Sequence, residues 1–410
     1  MADRVTVIGW DGSPLTPGAR AALSAATLVA GAPRHLVLPD IPGGAERVQL
    51  GSLRLAAGRI AAHRGTAVVL ADGDPGFFGV VRTLRDLEHG LEVEVMPAVS
   101  AVAAGFARAG MPWDDARIVT AQQRTLRRAV NVCRAHPKVA VLTSPGAGPA
   151  EIALLLGDVH RTFVICEALG TDRERVSVLT SDKVARHTWT DPNLVIVVGG
   201  TGGGATAAPG GGTGESWLAG LDPAAAVEPR GWGLDPAAYQ QNPLPAPGRT
   251  PHLRALELAV LGPRPGDLVW DIGAGSGLAA LEAARHGAAV IAVDRDAEAC
   301  AVAGATARRY GVQLHVVHGV APQVLASLPE PDVVRVGGGG DRTLVACADR
   351  RPQRIVTHAM TRDQAEAAGR VLAGAGYTVR CTLLQSVELE TQEWSEQGRS
   401  VVFLLAGSRL

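Results

Sequence analysis

Residues 271–277, DIGAGSG, set an acid and three alternate glycines directly behind an apolar run. Glycines there let the backbone approach a ligand without Cβ clashes, at the carboxyl end of a strand. The dinucleotide fingerprint is G-x-G-x-x-G. Here Gly273, Gly275 and Gly277 are spaced G-x-G-x-G, and Leu278 stands where the third dinucleotide glycine would be. Asp271 would also repel a pyrophosphate. It suits a ligand with a cationic amino-acid end and no phosphate, such as S-adenosylmethionine. Asp294 ends the next apolar run, VIAVDRD, where an acid can take both ribose hydroxyls of either NAD or S-adenosylmethionine. In the GVAP turn that follows the next run, Gly319, Val320 and Ala321 are placed to line the adenine. Ala274, Ser276 and Arg295 complete this expected cofactor shell.

Two further stretches have the same design. ADGDPGFFG (71–79) and MPAVSAV (96–102) each follow an apolar run and open a helical pattern. Small residues and proline make tight turns that present backbone groups to a ligand. Other reactive side chains divide differently. His315 and His318 in LHVVHG fall on opposite faces of a strand, which speaks against a metal pair. No metal site is expected. His358, Thr361 and Arg362 fall where a strand end faces the rear pocket, so substrate contact is expected there, with Gly338 and Gly339.

The elements that position these residues read as two α/β series. RVTVIG (4–9), TAVVLADGDP (66–75), LEVEVM, KVAVL, RTFVICE, ERVSVLTS and NLVIVV read as strands. TPGARAALSAATLV reads as a helix with a Thr-Pro start. From Gly199 the chain turns to Gly, Ala and Pro without periodicity, which reads as a linker. A second series then begins with the helix HLRALELAVLG (252–262). DLVWDIG, AAVIAVD, VQLHVVHG, PDVVRVGG and RIVTHAM follow as strands with helices between them. YTVRCTLLQSVELE and RSVVFLLAG close the chain as strands around an acidic segment, an interface hairpin or a solvated loop. The expected domains are 1–200, a linker at 201–230, and 231–410.

Bulk properties narrow the partners. The chain has 410 residues, 39 basic and 40 acidic, for a net charge of −1. No domain-wide basic field is available to hold nucleic acid by counterion release. Aromatic content of 4% gives few stacking platforms for bases. Five cysteines stand singly, which fits a reducing cytoplasm. No apolar run reaches the roughly twenty residues of a membrane helix. Lys138 and Lys183 are the only lysines, so arginine carries the positive charge. That bias fits codon composition, or bidentate capture of substrate carboxylates.

The paired turns at 71–79 and 96–102, behind the strand VTVIG, resemble the tetrapyrrole (corrin/porphyrin) methylase family over about residues 4–200. That resemblance implies a cofactor site between two α/β lobes, lined by Gly73, Asp74, Pro75, Phe78, Ser100 and Ala101. PGDLVWDIGAGSGLAALEAA, GVAPQVLASLPEPDVVRVGGGG and HAMTRDQAE resemble the rear half of the precorrin-6Y C5,15-methyltransferase (decarboxylating) family of cobalamin biosynthesis. The resemblance implies a two-lobed methylase domain followed by a Rossmann-like (class I) methyltransferase domain, with one S-adenosylmethionine site in each. It implies methylation of precorrin-6B at carbons 5 and 15, with loss of the ring C acetate carboxyl, to give precorrin-8X. Thr250 matches the family's Thr-Lys opening, as a further cofactor contact, but Pro251 replaces the lysine. Val320 stands for an acid or amide, Arg335 for an aromatic or apolar residue, and His358 for a frequent Asn. In the front half, AQQRTLR stands where the family has an HGR segment. A homo-oligomer is expected. The alternatives are an RNA methyltransferase and a degenerate tetrapyrrole- or cofactor-binding protein. No residue is named for the protonation that decarboxylation needs.

Overall fold

The near-continuous apolar runs become strands buried on both faces, as parallel sheets require. In the computed structural model, which describes residues 4–51, 53–86, 90–199, 219, 231–239 and 250–409, three sheets form. The first is built from β1 (Arg4–Trp10), α1 (Pro17–Ser24), β2 (Leu28–Gly31), β3 (Glu46–Gln49), α2 (Leu53–Ala62), β4 (Ala67–Asp72), α3 (Val80–Leu84) and β5 (Glu92–Met96). Its five strands are all parallel, in the order β3-β2-β4-β1-β5. Thr16 caps α1 by accepting from the Ala19 N–H, and Pro17 follows at the first helical position. The helix expected over TPGARAALSAATLV stops at Ser24. Leu28 and Val29 pair with β4 instead, so sheet formation overrides local propensity.

The second sheet carries α4 (Ala101–Ala109), β6 (Arg117–Thr120), α5 (Leu126–Ala135), β7 (Lys138–Leu142), α6 (Pro149–Leu156), β8 (Thr162–Glu167), β9 (Arg175–Thr180), α7 (Ser181–Val184) and β10 (Asn193–Val198). Its order is β6-β7-β10-β8-β9. Only β6 and β7 pair in parallel; the other pairs are antiparallel. Residues 201–230, expected as a linker, lie outside the described residues except for Ala219.

The third sheet has α8 (Pro251–Leu261), β11 (Leu268–Ile272), α9 (Leu278–Arg285), β12 (Ala289–Asp294), α10 (Ala297–Arg309), β13 (His315–His318), β14 (Val333–Val336), α11 (Gly340–Asp349), β15 (Arg354–Ala359), α12 (Arg362–Gly374), β16 (Thr378–Leu389) and β17 (Glu396–Ser408). Seven strands run in the order β13-β12-β11-β14-β15-β17-β16, with β17 antiparallel between β15 and β16. Between β13 and β14 the chain makes only a 3₁₀ turn, Gln323–Ser327, where a helix was expected. Pro322, Pro329 and Pro331 bracket it, and proline blocks helical continuation. Buried clusters cover both faces, with Trp270 fully enclosed. Fully buried Glu282 pins residues 231–239 to this unit: it accepts from the Gly233 N–H, the Tyr239 hydroxyl and Arg254.

Helix α5 joins the front unit to the rear one. Asn131, with no exposed surface, donates to the Gly266 carbonyl at 3.0 Å. Arg127 pairs with Asp332 at 3.0 Å, and Asp332 in turn accepts from the Leu268 N–H. A cavity of about 750 Å³ lies in this seam, at the amino-terminal edge of the rear sheet, away from the glycine turns.

Candidate functional site

The rear site is assembled at the carboxyl edge of β11, β12, β14 and β15. Gly273, Gly275 and Gly277 all have positive φ, so the turn needs glycine for backbone shape as well as for clearance. A Cβ on Gly273 would stand 2.8 Å from the Gly338 nitrogen, so the turns after β11 and β14 touch. Asp294 braces the loop: one carboxylate oxygen accepts from the Gly275 N–H at 2.7 Å, the other from the Asp296 N–H at 3.0 Å. A carboxylate keeps lone pairs beyond these two bonds, so ribose hydroxyls can still be received.

Beneath this edge lies a buried ionic cluster. Asp271 on β11 and Arg335 on β14 are register partners. Arg335 Nη1 donates to Asp271 Oδ1 at 2.8 Å, and its Nε donates to Glu257 Oε2 on α8 at 2.6 Å. The other Glu257 oxygen, Oε1, accepts from His358 Nδ1 at 2.9 Å. Burial alone would raise the Glu257 carboxyl, but the Arg335 charge and the His358 hydrogen bond outweigh it and hold it below its ordinary value. Burial likewise opposes the Arg335 charge, and the two carboxylates more than offset it. Asp271 therefore does not project a free negative charge. Its Oδ2 is buried with no hydrogen-bond partner, an atom suited to a cationic amino group.

The front turns converge in a similar way at the carboxyl edge of β1, β4 and β5. The Gly73 N–H donates to the Trp10 carbonyl, and the Gly73 carbonyl accepts from the Ala98 N–H. A Cβ on Gly73 would stand 2.9 Å from the Ser100 Cα. Asp11 Oδ2 accepts from the Val99 N–H at 3.2 Å, tying the first turn to the third. The backbones of Gly12 and Gly170 meet closely, which joins the two lobes beside this edge. Phe78 has φ of 57° and is exposed in edge contact with Phe77, an apolar lip beside the turn.

Comparison with known proteins bears on both sites. The family described as Tetrapyrrole (Corrin/Porphyrin) Methylases matches residues 10–185, and that described as Precorrin methyltransferase domain matches residues 250–397. A precorrin-6Y C(5,15)-methyltransferase (decarboxylating) from a Sinorhizobium species is 32% identical over 371 residues, covering 87% of this chain and 84% of that protein. The chain belongs to this precorrin methyltransferase family. Shorter relatives match parts of it. A cobalt-precorrin-7 C(5)-methyltransferase of Salmonella typhimurium is 37% identical over 40% of this chain and 82% of its own length. A probable cobalt-precorrin-6B C(15)-methyltransferase (decarboxylating) of Pyrobaculum calidifontis is 34% identical over 32% of this chain and 71% of its own.

In this precorrin methyltransferase the expected residues sort by what the fold does with them. Gly273, Ala274, Gly275, Ser276, Gly277 and Asp294 form one continuous turn-and-brace. The Gly319 N–H donates to the Asp294 carbonyl at 2.8 Å, which seats the 319–321 turn beside it. Val320 is exposed and Ala321 half-buried. Arg295 is exposed, and its carbonyl accepts from His318 Nε2 at 3.0 Å. The hydroxyl of Thr250 caps α8, that of Thr361 caps α12, and that of Ser100 caps α4, each accepting a helix N–H. Asp74 accepts from the Gly76 N–H within its own turn, and Pro75 is buried. Gly339 has φ of 98° and precedes α11. Sequence reasoning passed over Glu257. The signal was present: it shares a helix face with Leu253, Leu258 and Leu261, all buried. Among the described residues no His/Cys/Asp/Glu group could hold a metal, and no helix is long and apolar enough to cross a membrane.

Proposed function

We propose that this chain is a bifunctional S-adenosylmethionine-dependent C-methyltransferase of cobalamin biosynthesis. It methylates precorrin-6B at carbons 5 and 15 and releases the ring C acetate carboxyl as carbon dioxide, giving precorrin-8X. The observation that carries this reading is the succession, in one chain, of a tetrapyrrole methylase match and a precorrin methyltransferase match, shared with a relative named for both methylations and decarboxylation. Residues 1–200 methylate carbon 5, and residues 231–410 methylate carbon 15 and decarboxylate, with 201–230 between them. Separate relatives named for each methylation support that division.

Each unit holds one cofactor, whose sulfonium supplies an electrophilic methyl group. In the rear unit Asp271 Oδ2 receives the ammonium, Asp294 the ribose hydroxyls, and Gly319, Val320 and Ala321 line the adenine. Gly338, Gly339, His358 and Thr361, at the ends of β14 and β15, border the macrocycle. In the front unit Gly73, Asp74, Pro75, Phe78, Ser100 and Ala101 border the cofactor. The reduced macrocycle is an electron-rich enamine system, so a bound cofactor would supply its methyl group without a strong base from the chain. The chain's task is alignment and exclusion of water.

Incubation with precorrin-6B and S-adenosylmethionine, read by mass spectrometry, is expected to show a gain of two methyls and loss of carbon dioxide. A product without methyl gain overturns the reading. Asp294→Ala should abolish carbon-15 methylation and decarboxylation and spare carbon 5. If both methylations vanish together, the division of labour is wrong. Calorimetry should count two cofactor sites per chain, and a single site refutes one site per unit.

A further inference from the structure

We propose that the cavity in the seam between the two units is a second ligand site, built for an organic carboxylate with an apolar body. It lies at the amino-terminal edge of the rear sheet, away from the glycine turns, so it takes no part in methyl transfer. Its volume of about 750 Å³ is that of a small-molecule site. Both units line it. Arg134 near the end of α5 and Arg161 before β8 come from the front unit, and Gln313 and His315 come from the rear.

Unpaired positive charge marks the site. Arg161 is buried, yet its hydrogen-bond partners among the described residues are all neutral. Its Nε donates to the Cys133 carbonyl at 3.1 Å and its Nη1 to the His160 carbonyl at 3.3 Å. Its Nη2 donates to the Arg134 carbonyl at 3.1 Å and, across the seam, to Gln313 Oε1 at 3.4 Å. Arg134 donates to Asn131 Oδ1 at 3.0 Å and to the Leu155 carbonyl, which leaves N–H donors on its guanidinium unspent. Among the described residues no carboxylate acts on either arginine. Burial, with the charges of Arg127 and Arg161, pushes Arg134 down to about 10. A guanidinium held out of water without a counter-charge is costly, and an anion entering the cavity relieves that cost. Asp158 is the one acid among the described residues of the wall, and it is exposed.

The rest of the wall selects the ligand. A planar carboxylate matches the fork of a guanidinium. Leu154 and Leu155, on the last turn of α6, are 65% and 46% exposed and line this cavity, together with Val317 and Leu328 of the rear unit. Exposed leucines beside arginines favour a carboxylate carried on an apolar chain or ring over inorganic phosphate, which has no apolar surface to bury. Such a ligand touches both units, so its binding also fastens the seam. Two sources share this chemistry: a free aliphatic carboxylate and a side-chain carboxylate of a tetrapyrrole.

The test titrates octanoate into the full chain by calorimetry, with inorganic phosphate and coproporphyrin as comparison probes. Wild type should bind octanoate saturably. Arg134→Gln should weaken that binding by about 10-fold or more, the worth of a hydrogen bond to a charged group. Leu154→Asp alters an exposed position, so the fold is preserved, and its like charge should weaken octanoate as well. Hydrogen exchange should show octanoate protecting α6 and β13 amides together, because the site draws on both units. Displacement of octanoate by coproporphyrin assigns the site to tetrapyrrole side chains; failure to compete assigns it to a free carboxylate. The proposal is overturned by absence of saturable octanoate binding, by binding unchanged in both variants, or by phosphate binding as tightly as octanoate. S-adenosylmethionine affinity should stay at the wild-type value in both variants, which keeps this test separate from the activity proposed above.

Discussion

Arg335 shows how one charged side chain in a buried strand can organise a site. Placed among valines on a fully buried strand, a guanidinium survives only with carboxylates on both sides. Glu257 and Asp271 supply them. Arg335 and His358, distant in the sequence, thereby become one feature, because both bind Glu257. Arg335→Met removes the guanidinium shared by two buried carboxylates and leaves Glu257 with His358 alone. It should destabilise the rear unit by about 3–5 kcal/mol; an unchanged urea midpoint would refute the cluster's role. Glu257 titrates below its ordinary value, so its stabilising contribution is full above that value of 4.5 and is lost as pH falls below it. The urea midpoint of wild type should fall through that acid range, and Glu257→Gln should remove part of the fall.

At the scale of elements, the turns after β11, β12 and β14 were legible because glycine and acid positions impose backbone shape locally. Gly277 illustrates the limit of that legibility. Its φ of 78° could be guessed from the turn, but a Cβ there would also stand 2.6 Å from the Ala303 Cβ on α10. Only the packing of α9 against α10 makes this second demand. Gly277→Ala should cost about 1–3 kcal/mol through backbone strain, before any clash is counted. Calorimetry should also show rear-unit cofactor affinity falling while the front site is spared; equal loss at both sites would contradict independent turns. Thr250, Ser100 and Thr361 carry a structural duty as well. Each sits in a motif that points to a ligand, yet its hydroxyl accepts a helix N–H, because N-terminal amides of helices need partners.

For the whole molecule, the seam between the units matters most. α5 packs its buried Asn131 against the rear sheet, and His136, at its end, lies 3.8 Å from the position of a Gly287 Cβ. Burial, with the Arg117 charge, pushes His136 down to about 4, and burial with the Arg134 charge lowers His315 in the same seam. Both rings are favoured neutral in the folded state. Their contribution is complete above the ordinary value of 6.5 and is lost as pH falls from there toward 4. The seam should therefore loosen in mild acid. Hydrogen exchange of α5 amides, corrected for intrinsic rate, should be faster at pH 5 than at pH 7. Equal protection would show that these histidines do not govern the seam.

The sequence alone determined the strand-and-helix succession, the glycine turns and the choice of cofactor, since each depends on residues close together in the chain. Short elements escaped it. β3 buries only Val48, and β6 spans four residues, too few for a readable period. Glu257, Arg335 and His358 are separated by up to 101 residues, and their meeting exists only once α8 lies across β14 and β15. Tertiary structure also decided that Asp271 is paired with Arg335 and that α5 couples the units. Electrostatic pairing and burial act through space, so no local pattern records them.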